Sequence, residues 1–159
     1  MQEPPPHRIS RPIIPPPVQA LGWAVAMWLV AWVWPELTVR FPGQTVLAGI
    51  LAASGLGIDL VSVARFFRQR TTINPLRPEA ASHLVISGLY RYTRNPMYLG
   101  MLVVLCGWAV WLGHLIAFAG PVLFAIVLTR LQILAEEAAL EARFGQEYRD
   151  YKARVRRWI

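Results

Sequence analysis

From Met97 to Leu112 the sequence reads MYLGMLVVLCGWAVWL, and past Gly113 and His114 a second apolar run, LIAFAGPVLFAIVLTRLQIL, extends from Leu115 to about Leu134. Two long apolar runs joined by so short a connection must fold back on one another, so the spacing predicts an antiparallel helical hairpin. His114 then reads as a solvated turn residue. The hairpin also constrains the polar sequence on either side of it. The segment Ser82 to Gly100 leads into the first run, the segment Glu136 to Trp158 leaves the second, and both are forced to the same end. Arg94 to Gly100 is therefore expected beside Glu136 and Glu137, despite the distance between them in sequence.

Two further apolar runs precede the hairpin. Val18 to Trp34 is followed by Pro35 and lacks an Ala-x-Ala cleavage pattern, so it reads as a retained helix rather than a signal peptide. At 1.5 Å per residue it covers about 26 Å, enough to cross a bilayer with help from its flanking tryptophans. The next run, about Thr45 to Phe67, carries Gly49, Gly55 and Gly57, small residues that let helices approach closely in lipid. Its acid, Asp59, is costly at that depth unless it faces protein or water. Both a substrate-facing role and a partnership with a nearby arginine or hydroxyl are open to it. Residues 1–17 hold seven of the thirteen prolines and are expected to form a disordered leader, because each ring removes a donor and clashes with the preceding turn. Pro75, Pro78, Gly88 and Pro96 break residues 68–96 into a long loop. The expected fold is all-α: a polytopic membrane bundle with four transmembrane helices, 18–34, 45–67, 97–112 and 115–134. A C-terminal helical segment, 135–159, completes a single domain running from 18 to 159.

Composition agrees. Hydrophobic residues make up 55% of the 159 and charged residues 16%, an imbalance unusual for a soluble chain of that length. Seven tryptophans, mostly at the ends of apolar runs, suit an interfacial belt in which the indole has one wet and one dry face. The formal net charge of +7 lies in segments flanking the apolar runs, where it meets anionic headgroups rather than nucleic acid. The single cysteine, Cys106, excludes an internal disulfide. Arginine and lysine fall in the leader, in the central loop and in the tail, and only Arg40 lies elsewhere. Basic residues resist translocation, so both termini and the long loop are expected in the cytoplasm, with the chain in a bacterial inner membrane.

At that end lie the residues suited to chemistry. Asn95 is a good N-cap and Pro96 a good first helical residue, so together they mark a helix start. Around them Tyr90, Arg94 and Tyr98 add a cation and two phenols near unpaired backbone donors, a setting for an anionic group such as an amino-acid carboxylate. Glu136 and Glu137 point about 100° apart on a helix and, placed at a helix C-terminus, oppose the macrodipole. An unfavourable placement of this kind suits an ammonium or a sulfonium-bearing ligand; a solvated amphipathic face is the alternative.

The stretch Gly88-Leu89-Tyr90-Arg91-Tyr92-Thr93-Arg94-Asn95-Pro96-Met97-Tyr98-Leu99-Gly100, then Glu136-Glu137, then Phe144-Gly145-Gln146-Glu147-Tyr148-Arg149-Asp150-Tyr151 resembles the isoprenylcysteine carboxyl methyltransferase and phospholipid methyltransferase superfamily. The likeness runs from Leu84 to Trp158. It implies an S-adenosylmethionine pocket at the cytoplasmic ends of the last helices, covered by the C-terminal segment and open laterally to a lipid-like acceptor. The family's Arg-His-Pro-x-Tyr-x-Gly motif falls on Arg94, Asn95, Pro96, Tyr98 and Gly100, with Asn95 in place of histidine, and its paired glutamates fall on Glu136 and Glu137. Its Leu-Val-x-x-Gly stretch, which helps line the adenosine pocket, falls on Leu84, Val85 and Gly88. His83 stands one place out of register with the family histidine, Gln132 replaces an arginine of the carboxyl methyltransferases, and Arg156 replaces a tail proline.

The implied activity is methyl transfer from S-adenosylmethionine to a lipid-like or small-molecule acceptor, such as an isoprenylcysteine carboxylate or a phospholipid amine. Arg94, Glu136 and Arg154 would act in catalysis. The cofactor would rest on Leu84, Val85, Gly88, Tyr90, Arg94, Asn95, Pro96, Tyr98, Gly100, Glu136 and Glu137, and the acceptor would meet Asp59, Gln132, Tyr148 and Tyr151. Membrane lipids and the acceptor are the expected partners, and no metal site is expected. Two other classes compete: a membrane reductase of the sterol-reductase type using a nicotinamide cofactor, which has a similar C-terminal layout, and a non-catalytic membrane module whose charged face anchors headgroups.

Overall fold

The computed structural model describes residues 14–68 and 84–159. Among them the architecture is helical, with one isolated β-bridge between Thr38 and His114. Helix α1 runs Pro16–Val33, α2 Gln44–Arg68, α3 Pro96–Leu112, α4 Ala119–Leu128, α5 Leu134–Phe144 and α6 Gln146–Arg154. Most of the expected leader, together with Pro75, Pro78, Ser82 and His83 of the central loop, lies outside the described residues. Pro16 and Pro17 belong to the first turn of α1 rather than to the leader, where a missing N–H costs nothing.

Helix α1, helix α2 and the continuous run Ile116–Phe144 are each long and apolar enough to cross a membrane, and α3 is a shorter apolar helix of 17 residues. Their outer faces are aliphatic and aromatic: Leu21, Trp32, Val46, Leu60, Val122 and Leu131 are all at least 60% exposed. In water such a surface would be a large uncovered apolar patch; in lipid it is the required covering. The chain is a membrane protein.

Helices α2 and α3 pack the most closely, and glycine is the reason. A Cβ on Gly55 would press into the Gly100 carbonyl and Val104, and one on Gly107 into the backbone of Ala48 and Ala52. Contact at backbone distance supplies the dispersion that holds helices together where no hydrophobic driving force exists between them. Helix α1 lies against α3 and α4, fixed to α3 by the Trp108 indole, which donates to the Ala24 carbonyl at 2.9 Å. At the hairpin end, Gly113 takes a left-handed conformation with φ 63°, and the α1–α2 connection is stitched to it. The Val39 N–H donates to the Gly113 carbonyl at 2.8 Å and the Leu115 N–H to the Leu37 carbonyl at 3.1 Å. Arg40, the one basic residue set apart in the sequence, donates to the Trp111 carbonyl at the C-terminus of α3. His114 is fully buried, its Nε2 2.9 Å from the Trp34 carbonyl; the expectation of a solvated turn residue fails because this connection packs over it.

A second departure matters more. The last apolar helix does not stop near Leu134. It passes through a π-helical turn, Thr129–Ile133, and continues as α5. Glu136 and Glu137 therefore lie within a continuous helix, and the macrodipole argument for their cost does not hold. Gly55→Ala is expected to lower stability by ~1–3 kcal/mol, as overpacking does, whereas Gly57→Ala, which meets open space, stays neutral or gains up to ~1 kcal/mol. Thermal unfolding of the two variants in detergent distinguishes them.

Candidate functional site

The hairpin brings the two polar clusters together. Arg94, just before α3, donates through Nη2 to Glu137 Oε1 at 2.8 Å. Tyr98, one turn into α3, donates its phenol to Glu136 Oε1 at 2.7 Å. The adjacent acids thus face different partners, as their angular separation on a helix requires.

Glu137 is 6% exposed, and its charge is fully matched: Arg157 adds two hydrogen bonds, Nε to Oε1 at 2.9 Å and Nη2 to Oε2 at 2.8 Å. This bidentate geometry is the strong form of a carboxylate–guanidinium contact, and it holds the Arg157 guanidinium above its ordinary range. Glu136 is matched differently. Its partners are the Tyr98 phenol and the Gln132 amide, both neutral, and among the described residues it makes no salt bridge. Gln132, four residues before Glu136 and so on the same side of the helix, is fully buried within the π turn; π turns of this kind recur at functional sites.

The C-terminal tail, 155–159, is drawn over the site by the residues before α3. The Arg94 N–H donates to the Arg156 carbonyl at 3.0 Å, and Thr93 Oγ1 and Asn95 Nδ2 donate to the Arg157 carbonyl at 3.1 and 3.0 Å. Arg94 Nη1 also reaches the Lys152 and Val155 carbonyls. Asn95 occupies the N-cap position of α3, yet its side chain makes no cap bond; it grips the tail instead. Arg94 Nε, in a side chain only 10% exposed, is buried without a partner. Near the end of the tail, the Trp158 indole donates to Thr129 Oγ1 at 3.2 Å, where the π turn begins.

Helix α6 forms the remaining wall. Tyr148 and Tyr151 are buried with Val155 against Leu84, Leu140 and Phe144, and the Tyr151 hydroxyl donates to the Tyr90 carbonyl at 2.7 Å. Burial pushes the phenols of Tyr90, Tyr148 and Tyr151 well above their ordinary range, so all three stay protonated. Val85 and Pro96 are buried alongside, and Gly88, at φ 65°, lies against the Arg65 guanidinium at the end of α2. Gly100 abuts Asp59, whose carboxylate would collide with any Cβ there. Arg154 stands apart: it is exposed on α6, and its Nε donates to the Asp150 carbonyl of its own helix.

Among the residues that make the site, Thr93, Arg157, Trp158 and the π turn were not singled out from sequence. Arg157 is twenty positions from Glu137 across the α5–α6 turn, and the basic tail offers no local signal to separate it from Arg154 or Arg156. Because two guanidiniums depend on it, Glu137→Ala is expected to cost ~3–5 kcal/mol, the penalty of breaking a buried pair. Glu141→Ala, which removes a surface pair with Lys152, should leave stability nearly unchanged. Hydrogen exchange across 148–157 should rise in the first variant only.

The model of the phospholipid methyltransferase family matches residues 43–147. A methanethiol S-methyltransferase of Pseudomonas deceptionensis is 28% identical over 171 residues, covering 91% of this chain and 60% of that protein. The protein-S-isoprenylcysteine O-methyltransferase of Schizosaccharomyces pombe is 36% identical over 75 residues, 45% of this chain and 30% of the yeast protein. An uncharacterized protein of Haemophilus influenzae is 48% identical over 63 residues, 40% of this chain and the whole of that protein. The chain thus spans 60% or less of either named enzyme. No solved structure matches significantly. The family match and the relatives' names lend no support to a membrane reductase.

Proposed function

The chain belongs to the phospholipid methyltransferase family, and we propose that it is an S-adenosylmethionine-dependent membrane methyltransferase acting on a lipophilic or small-molecule acceptor. The reading rests on one observation: Glu136 is a half-buried carboxylate whose partners among the described residues are neutral, one position from an acid whose charge is fully matched. A carboxylate left unneutralised in a partly dry site favours a cationic ligand. The donor set fits the rest of the cofactor, because the unpartnered Arg94 Nε is a charge-assisted donor suited to a carboxylate or a ribose hydroxyl.

When bound, S-adenosylmethionine supplies a methyl group activated by its sulfonium. The protein's own work is to align and exclude water, since an in-line displacement of this kind needs little acid–base machinery. Tyr98 and Gln132 fix the rotamer of Glu136, so that its charge is aimed before any ligand arrives. Glu137 carries no free charge to offer; its role is to lock Arg94 and Arg157 and, through them, the tail. Tyr148, Tyr151 and Leu84 close the site with apolar surface. The acceptors named for the relatives, a small thiol and an isoprenylcysteine, bracket the size range proposed for this chain.

We read the topology as four crossings, α3 included, with both termini and the site on the cytoplasmic side of a bacterial inner membrane. The distribution of arginine supports this orientation. Glu136→Gln keeps the size and an acceptor oxygen but removes the charge, and is expected to weaken S-adenosylmethionine binding at least tenfold, or ~1.4 kcal/mol. Arg154→Ala should leave binding within twofold. Isothermal titration of the detergent-solubilised chain measures both, and unchanged affinity in Glu136→Gln would overturn the assignment.

A further inference from the structure

Between α1, α2 and α3 lies an open groove of about 710 Å³, walled by residues such as Ala24, Trp28, Leu56, Val104 and Trp108. Among the described residues a single charged side chain lines it, Asp59. The Asp59 carboxylate lies against the bare backbone of Gly100, and its Oδ1 is buried with no hydrogen-bond partner. The arginine or hydroxyl partner that a purely structural acid would need is not there among the described residues. An ionisable group kept in an apolar setting without compensation is costly unless a ligand supplies the compensation.

The position along the groove is also defined. Helices α1 and α3 run in register, with Trp108 level with Ala24, while α2 runs against them and sets Asp59 beside Gly100. Asp59 therefore occupies the end of the groove next to the first turns of α3, and Trp28 and Trp108 lie farther along. Those first turns also carry Tyr98, whose phenol meets Glu136 on another side of the same helix.

We propose that this groove is the acceptor site and that it takes a single-chain lipophilic amine, its ammonium on Asp59 and its hydrocarbon along the walls toward Trp28 and Trp108. The inference rests on the methyltransferase reading above and names its substrate class. The volume falls within the ~300–1,000 Å³ that holds one drug-sized ligand, which suits one chain rather than two. Charge decides the head: a carboxylate or thiolate beside an unpaired carboxylate is repelled, whereas the attraction of an ammonium offsets the desolvation of both ions. In the transfer step Asp59 takes one proton from the ammonium, freeing the nitrogen lone pair. The nitrogen–methyl bond forms as the sulfur–methyl bond breaks, its electron pair staying on sulfur. The products are a thioether and a methylammonium, and the carboxyl proton leaves to water.

The test uses the full chain in phosphatidylcholine nanodiscs. Brominated dodecylamine should quench tryptophan emission saturably, with an apparent Kd at least tenfold tighter than brominated dodecanoic acid. Asp59→Asn should abolish that preference. Val25→Phe, on the exposed face of α1 that borders the groove, should weaken both probes while Asp59 remains. With labelled S-adenosylmethionine, dodecylamine should accept methyl groups, and Asp59→Asn should cut kcat/KM at least tenfold with cofactor affinity within twofold of native. Equal quenching by amine and acid, or an amine preference that survives Asp59→Asn, overturns the groove assignment. So does label passing to dodecanoic acid or dodecanethiol instead of the amine, an outcome that leaves the methyltransferase reading intact. Amine-selective quenching lost in Asp59→Asn, in a chain that binds no S-adenosylmethionine, supports the groove and overturns the enzyme reading.

Discussion

A carboxylate as buried as Glu137 must be paired, and the pairing organises everything at this end of the bundle. Its two guanidiniums come from different places, Arg94 before α3 and Arg157 near the end of the tail. One acid thus joins the start of the penultimate long helix, the middle of the last and the final residues of the chain. An ion pair of this kind adds little net stability over an apolar replacement, because desolvation offsets most of the Coulomb energy. Its contribution is geometric: it admits one arrangement of three segments that apolar contacts alone would allow to slide. The hydrogen bonds from the Arg94 N–H and from the Thr93 and Asn95 side chains to the tail carbonyls then follow from that placement.

The two adjacent acids differ in partner because they point about 100° apart on the helix, and the π turn sets which directions those are. In an unbroken α-helix, Gln132 and Glu136 already share a face, four residues apart. The extra residue in the turn shifts the register of everything after Ile133 relative to the membrane-embedded half. The half before the turn packs by its apolar face with Phe124 and Leu128 fully buried, and the half after it aims Glu136 at Tyr98 and Glu137 at Arg94. Thr129, where the turn begins, bonds back to the Ala125 carbonyl and accepts the Trp158 indole, so the tail rests on the irregularity itself.

Much of this was legible from the chain alone because membrane burial writes itself into composition. The apolar runs, the Gly113-His114 connection and the consequent meeting of Arg94 with the twin glutamates needed only the length of the runs and a short turn. What was not legible depends on register or on long-range partners. A run rich in leucine and isoleucine reads the same whether its helix is α or π, so the end of the last long helix was misplaced and the acids were assigned a dipole penalty they do not pay. Arg157 and Arg154 differ by three positions in a basic tail, and only folding tells which faces inward. His114 looked like a turn residue because its cover, the α1–α2 connection, is remote in sequence.

Helix α3 separates two acids with opposite surroundings. On one side Glu136 is held by neutral donors beneath the tail, with polar groups close by; on another, Asp59 sits at the end of an apolar groove against Gly100. Tyr98 and Gly100 are two residues apart, so they present different faces of the same turn, and they suit their neighbours for opposite reasons. Tyr98 is large and reaches across to fix a carboxylate, whereas Gly100 has no side chain and lets one lie on the backbone. A single short motif at the start of α3 thereby borders both the Glu136 cluster, proposed above for the cofactor, and the apolar groove, proposed for the acceptor. The choice of a phenol and a glycine at that spacing is what lets one helical turn hold two carboxylates in such different settings.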